Sequence, residues 1–141
     1  MTIKVHHTLL MTGAAGGLGT AMRDRLKANC EVLRLSDRSD FGAARAGEEV
    51  VLADLADAAA VERAMALTIE HFGGIDVLVN NAGITHRSSF ADTELAVFQR
   101  IMAVNYFGAL HCTKAALPSL IARSGQIIVL SSLSGFAPLL Y

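Results

Sequence analysis

The sequence predicts an α/β domain built on a doubly wound parallel sheet. Three observations point there. Short apolar runs recur, each stopped by Gly, Asp, Asn or Ser. Segments with helical spacing of apolar residues lie between them. The first run leads through a glycine-rich turn directly into the first helical segment. Four of the five runs are nearly continuous in apolar residues, the pattern of strands covered on both faces.

The first strand is read at residues 8–12, TLLMT, stopped by Gly13. A helix over 17–28 follows, with Leu18, Met22 and Leu26 on one face and Arg23, Asp24 and Lys27 off it. Residues 32–35 form the second strand, ending at Ser36 and Asp37, and residues 50–53 the third, ending at Asp54. Val61, Met65, Ile69 and Phe72 mark a helix closed by Gly73 and Gly74. Residues 76–79 form the fourth strand, stopped by Asn80-Asn81-Ala82-Gly83. A long helical stretch runs from Thr93, read as its N-cap, to about Arg123, disturbed at Gly108 and Pro118. Residues 126–130 form the fifth strand, ending at Ser131 and Ser132. Ligands of such sheets sit at the carboxyl ends of the strands, where this chain concentrates its Gly, Asp, Asn and Ser residues.

Composition narrows the function. The 141 residues suit one domain with its own core. With 12 Lys and Arg against 13 Asp and Glu the net charge is −1, which argues against a nucleic-acid partner. Two cysteines, Cys30 and Cys112, are too few for a disulfide framework or a four-thiolate zinc site, and no His lies at metal-ligand spacing from a Cys, so no metal site is expected. The N-terminal apolar run is too short for a signal sequence or a membrane span, and the expected location is the cytosol. Met11, Met22, Met65 and Met102 fall at core positions, Cys112 reads as a buried small residue, and His6-His7 as solvated residues ahead of the first strand.

The turn Thr12-Gly13-Ala14-Ala15-Gly16-Gly17-Leu18-Gly19 carries the chemistry. Gly13 permits a tight turn, Gly16 or Gly17 lets backbone N–H groups approach a pyrophosphate, and Gly19 lets helix and strand pack closely. The helix N-terminus adds partial positive charge for the anion. Asp37 ends the second strand 18 residues beyond Gly19. A carboxylate there accepts hydrogen bonds from both ribose hydroxyls of NAD and repels the 2′-phosphate of NADP. Arg38 beside it is suited to that phosphate, so NADP stays open as the alternative.

Four pieces in order, TGAAGGLG at 12–19, ADL at 53–55, NNAG at 80–83, and VNYFG at 104–108 followed by VLSSLSG at 129–135, make the sequence resemble the short-chain dehydrogenase/reductase superfamily. The resemblance implies a Rossmann fold and hydride transfer between NAD(P) and an alcohol or carbonyl substrate of low molecular weight. It implies that Ala15 and Leu18 join the glycines around the cofactor, that Asp54 and Leu55 hold the adenine, and that Asn81, Ala82 and Gly83 pass close to the cofactor. Asn105 would hold a water for proton relay, and Ser132 would polarise the substrate carbonyl. Each position also has a structural use: Asp54 as a turn former, Asp57 as a helix cap, the asparagines as partners for backbone groups.

The chain departs from the family at one decisive place. The family's reaction needs a Tyr with a Lys four residues later; Tyr106 is followed there by Leu110, and Tyr141 is the last residue. Tyr141, nine residues beyond Ser132, reads as an ordinary residue ahead of the catalytic one. The expectation is therefore a single dinucleotide-binding domain over 1–141, incomplete at its C-terminal end, which binds dinucleotide without turnover. The resemblance implies a homo-oligomer in the intact form, and without a second half the edge of the fifth strand and one face of the long helix are expected to be exposed, which predicts association of this chain. A non-catalytic nucleotide-binding module or truncated gene product is the alternative. A sugar-nucleotide epimerase or uronate dehydrogenase is a further one, because the opening third, with MRDRL and EVLRLSD, resembles uronate dehydrogenases. The short stretch between Asp37 and Asp54 leaves little room for a full helix.

Overall fold

In the computed structural model, residues 6–38, 42–135 and 137 are described; Tyr141, singled out above, lies outside them. The elements run β1 (His6–Thr12), α1 (Gly17–Ala28), β2 (Cys30–Asp37), β3 (Glu48–Leu52), α2 (Ala58–Phe72), β4 (Val77–Asn80), α3 (Leu95–Met102), a π-helical segment (Ala103–Gly108), α4 (Ala109–Ala122), β5 (Gln126–Val129) and a 3₁₀ turn (Leu133–Gly135). The strands form one sheet in the order β3-β2-β1-β4-β5, every neighbour parallel. The chain winds outward from β1 to β3, then returns to the other side of β1, so the direction of winding switches between β1 and β4. This is the doubly wound α/β arrangement of the Rossmann fold.

Alternation along β1 and β4 explains why their runs are apolar throughout. Leu10 and Leu78 enter a core with Val61 and Met65 of α2 and Cys112, Ala116 and Leu120 of α4. Leu9, Met11, Val77 and Val79 point to the other face, where Met22 and Leu26 of α1 pack. Burial at Cys112 pushes the thiol up to about 12, so it behaves as a small apolar residue.

Several details differ from the expectations. On α1, Leu18 is 66% exposed and Arg23 is buried, the reverse of the expected faces. Arg23 turns inward because Glu48 receives it, Nε to Oε1 at 2.9 Å and the guanidinium NH2 to Oε2 at 2.5 Å. Met102 is 49% exposed rather than in the core. β1 begins at His6, so His6 and His7 lie inside the strand rather than ahead of it, and the His7 ring pairs with Glu31. The cap of α3 is Glu94 and not Thr93, whose hydroxyl donates to the Ser89 carbonyl instead. Gly108 does disturb the long helix, as the end of the π segment: a Cβ there would meet the Leu55 Cβ at 2.8 Å. Pro118 sits inside α4 without ending it. β5, read as one of the covered strands, is exposed along its length. Among the described residues no helix lies between β2 and β3, and Asp57 caps α2 by accepting from the Ala59 and Ala60 N–H groups. No helix among the described residues is long and apolar enough to cross a membrane.

Candidate dinucleotide cleft

The carboxyl ends of β1 to β4 open into one cleft of about 660 Å³. Its floor is the turn between β1 and α1, with Gly13, Ala15 and Gly16, and the start of α1, with Gly17, Leu18 and Gly19. Gly13 has φ +65°, and a Cβ on it would lie 2.5 Å from the Ala82 Cα. Any side chain there would thus drive the turn away from the loop after β4. Gly19 packs against the turn itself, where a Cβ would lie 2.4 Å from the Gly13 carbonyl oxygen. At Gly17 a Cβ would meet nothing within 4 Å, so its bareness leaves room in the cleft. No side chain caps α1 at Gly16, and its first turn holds no acidic residue, so its leading N–H groups remain available to an anion.

One wall comes from the end of β2. Asp37 accepts from the Ala15 N–H through Oδ2 at 2.9 Å and from the Arg38 N–H through Oδ1 at 2.8 Å. Ser36 and the exposed Arg38 lie beside it. The next wall is the end of β3, with Ala53, Asp54 and Leu55. Asp54 accepts from the Ala56 N–H through Oδ1 at 2.9 Å and from Arg100 through Oδ2 at 3.0 Å. The Ala56 N–H first and Arg100 second hold its carboxyl below the usual carboxylate range, with the Arg38 charge adding to them.

The opposite wall is the loop after β4, with Asn81, Ala82, Gly83 and Ile84. Thr12 fixes it: its hydroxyl accepts from the Asn81 and Ala82 N–H groups, both at 3.2 Å. Asn81 returns the tie, donating from Nδ2 to the Thr12 and Gly13 carbonyls at 3.0 Å each. Asn80 is directed away, its Nδ2 donating to the Thr113 hydroxyl of α4. Arg100 and Val104 complete the lining from α3 and the π segment.

Every residue picked from the sequence as cofactor-binding thus faces one cleft, whereas the two picked for catalysis do not line it. Asn105, in the π segment, clamps the main chain of Ile84, accepting from its N–H at 2.8 Å and donating to its carbonyl at 2.9 Å. Ser132 is exposed between β5 and the 3₁₀ turn; its hydroxyl donates to the Ser134 hydroxyl at 3.1 Å and accepts from the Ser134 N–H. Sequence reasoning missed Thr12 as a hub and Ser36, Ala53, Ile84, Arg100 and Val104 as lining. Thr12 stood next to the glycines and was visible as a hydroxyl at a strand end. Arg100 reaches the cleft from a distant helix and left no local signal.

The family model for short chain dehydrogenase matches residues 7–140. The mouse (Mus musculus) dehydrogenase/reductase SDR family member 7B is 36% identical over 141 aligned residues, covering 90% of this chain and 44% of that protein. Uronate dehydrogenase of Pseudomonas putida is 42% identical over 117 residues, covering 82% of this chain and 38% of that one. The crystal structure of an NADH-dependent reductase complexed with NAD superposes with a TM-score of 0.84 at 28% identity, covering 93% of this chain and 61% of that chain. The chain spans less than half the length of these two curated relatives. A match running from β1 past the last described residue, on a doubly wound sheet with the glycine turn at its switch point, is carried by both sequence and fold: the chain belongs to the short-chain dehydrogenase family.

Proposed function

We propose that this chain is the dinucleotide-binding part of an NAD(P)-dependent oxidoreductase that moves a hydride between nicotinamide and the carbon of an alcohol or carbonyl substrate. One observation carries the reading: Gly17 and the uncapped start of α1 leave a bare, donor-rich floor beneath the Asp37 and Asp54 carboxylates. The leading N–H groups of α1 would hold the diphosphate. Asp37 would accept from the adenosine ribose hydroxyls, which favours NAD over NADP. Asp54 and Leu55 would border the adenine, and Asn81 to Gly83 would carry the backbone past the rest of the cofactor. Bound there, a nicotinamide supplies the hydride acceptor or donor. Asn105 would position a water near Ile84 for proton relay, and Ser132 would orient the substrate oxygen.

The activity proposed for residues 1–141 themselves is dinucleotide binding. The intact protein is proposed to be a cytoplasmic homo-oligomer. A second reading, a dehydrogenase of sugar acids, is supported by the likeness to uronate dehydrogenase. Titration with NADH and NADPH, read by nicotinamide fluorescence, tests the proposal. Saturable binding with NADH the tighter ligand is expected; no binding of either up to about 1 mM overturns it.

A further inference from the structure

We propose that Arg100 is a positioning residue that fixes the Asp54 carboxylate so that the cleft accepts a 6-amino purine and rejects a 6-oxo purine. The proposal rests on the reading of the cleft as a dinucleotide site and deepens it at the purine end. Asp54 closes β3 and Arg100 comes from α3, 46 residues later, yet both line the same cleft. The carboxylate is held on both oxygens, Oδ1 by the Ala56 N–H at 2.9 Å and Oδ2 by the Arg100 NH2 at 3.0 Å. An N–H fixed in the backbone and a planar guanidinium together set both the position and the plane of the group.

The chemistry left over is one-sided. An ionised carboxylate has about four acceptor sites and no donor, and two are occupied here. The remainder accept from an exocyclic amine and repel an exocyclic oxygen. The apolar walls beside it, Leu55 at 7% and Val104 at 8% exposure, suit a flat ring. A purely structural role explains the pair poorly. The two side chains are 43% and 41% exposed, where an ion pair adds little to stability. α3 itself contributes no buried residue to the core.

The test compares NADH with reduced nicotinamide hypoxanthine dinucleotide, whose only change is the 6-amino group to a 6-oxo group. Both are titrated by nicotinamide fluorescence into the parent chain and into the Arg100→Met, Arg100→Lys and Asp54→Asn variants. The parent prefers NADH. Arg100→Met cuts the preference about threefold or more, chiefly by weakening NADH, and Arg100→Lys restores part of it. Asp54→Asn abolishes the preference. If Asp54→Asn abolishes it while Arg100→Met leaves it intact, or lowers both affinities by one factor, Arg100 has no positioning role and the proposal alone is overturned. If Asp54→Asn leaves the preference intact, or the parent shows none, the purine does not lie against Asp54 and the proposal falls with that placement. If the parent binds neither dinucleotide, the reading of the cleft itself has failed.

Discussion

Asp37 accepts a hydrogen bond from the Ala15 N–H, 22 residues earlier in the chain, at 2.9 Å. The acid at the end of β2 is thereby tied to the turn that leads into α1. The Asp37→Ala variant removes both the acceptor for a ribose and the negative charge facing a 2′-phosphate, while Arg38 remains beside the gap. NADH affinity is expected to fall about tenfold and the preference over NADPH to vanish or invert. Parallel fluorescence titrations with the two reduced cofactors read the ratio; a ratio unchanged in the variant assigns the ribose elsewhere.

The glycines of the turn separate stability from binding. In Gly13→Ala the new Cβ meets the Ala82 Cα at 2.5 Å on a backbone with φ +65°. A loss of about 2–4 kcal/mol is expected in denaturant unfolding, together with loss of binding. In Gly17→Ala the Cβ meets nothing within 4 Å. Stability then changes by less than about 1 kcal/mol while NADH binding drops, because the methyl occupies cleft space. Equal binding by Gly17→Ala and the parent would show that the floor of the cleft is not where the diphosphate lies.

These two glycines also show what the sequence made legible. The strands' places along the chain, the glycine turn and the residues at strand ends follow from local signals: apolar period, dihedral demand and polar residues at fixed offsets. Residues whose role depends on a partner far along the chain were not legible. Arg23 reads as a solvent residue of α1 until Glu48 of β3 is brought to it, and Leu18 reads as core although it stands at the cleft. Arg100 and Thr12 act across 46 and 69 residues respectively. The Thr93 cap failed for another reason, because a nearer carbonyl at Ser89 took its hydroxyl.

The Arg23–Glu48 pair fastens the start of β3 to α1. The side chains are 11% and 1% exposed, Glu48 also accepts from the Arg45 N–H, and Arg23 reaches the Ala43 carbonyl. Glu48→Leu leaves the guanidinium buried without its carboxylate and is expected to cost about 3 kcal/mol or more. The double variant Arg23→Met, Glu48→Leu should recover much of that loss. Urea unfolding of the single and double variants measures the difference, and an undiminished loss in the double variant would show that the apolar pair packs badly rather than that charge matters.

Acid should unfold the chain through its depressed carboxylates, of which Glu48 and Asp76 are the more buried. Arg23 draws the Glu48 carboxyl below its ordinary range against the opposing effect of burial. Burial pushes the Asp76 carboxyl up, but Arg123 and the Thr8 and His7 N–H groups outweigh it and leave it lowered. A group whose folded value is depressed adds stability that is fully present above its unfolded value, about 4, and is lost as pH falls through the folded value. Stability should therefore be flat near neutrality and decline from about pH 5 downward. In Asp76→Asn the neutral-pH plateau is lower and the decline shallower, as urea unfolding across the range will show. A variant with a lower plateau but an unchanged acid slope would remove Asp76 from the account.

The edge of the sheet sets the last expectation. β5 pairs only with β4 among the described residues, and Ile127, Ile128 and Val129 are 41%, 43% and 60% exposed. α3, the π segment and α4 add exposed Leu95, Tyr106, Phe107 and Ile121. A strand edge with open N–H and C=O groups beside apolar side chains is a template for pairing with another copy. The 141-residue chain is expected to elute from size-exclusion chromatography as an oligomer or aggregate whose size rises with concentration. Ile128→Lys places a charge on that strand and should shift the profile toward the monomer with NADH binding retained, since Ile128 does not line the cleft. A parent chain that is a clean monomer at every concentration would mean that the exposed faces are individually too small to drive association.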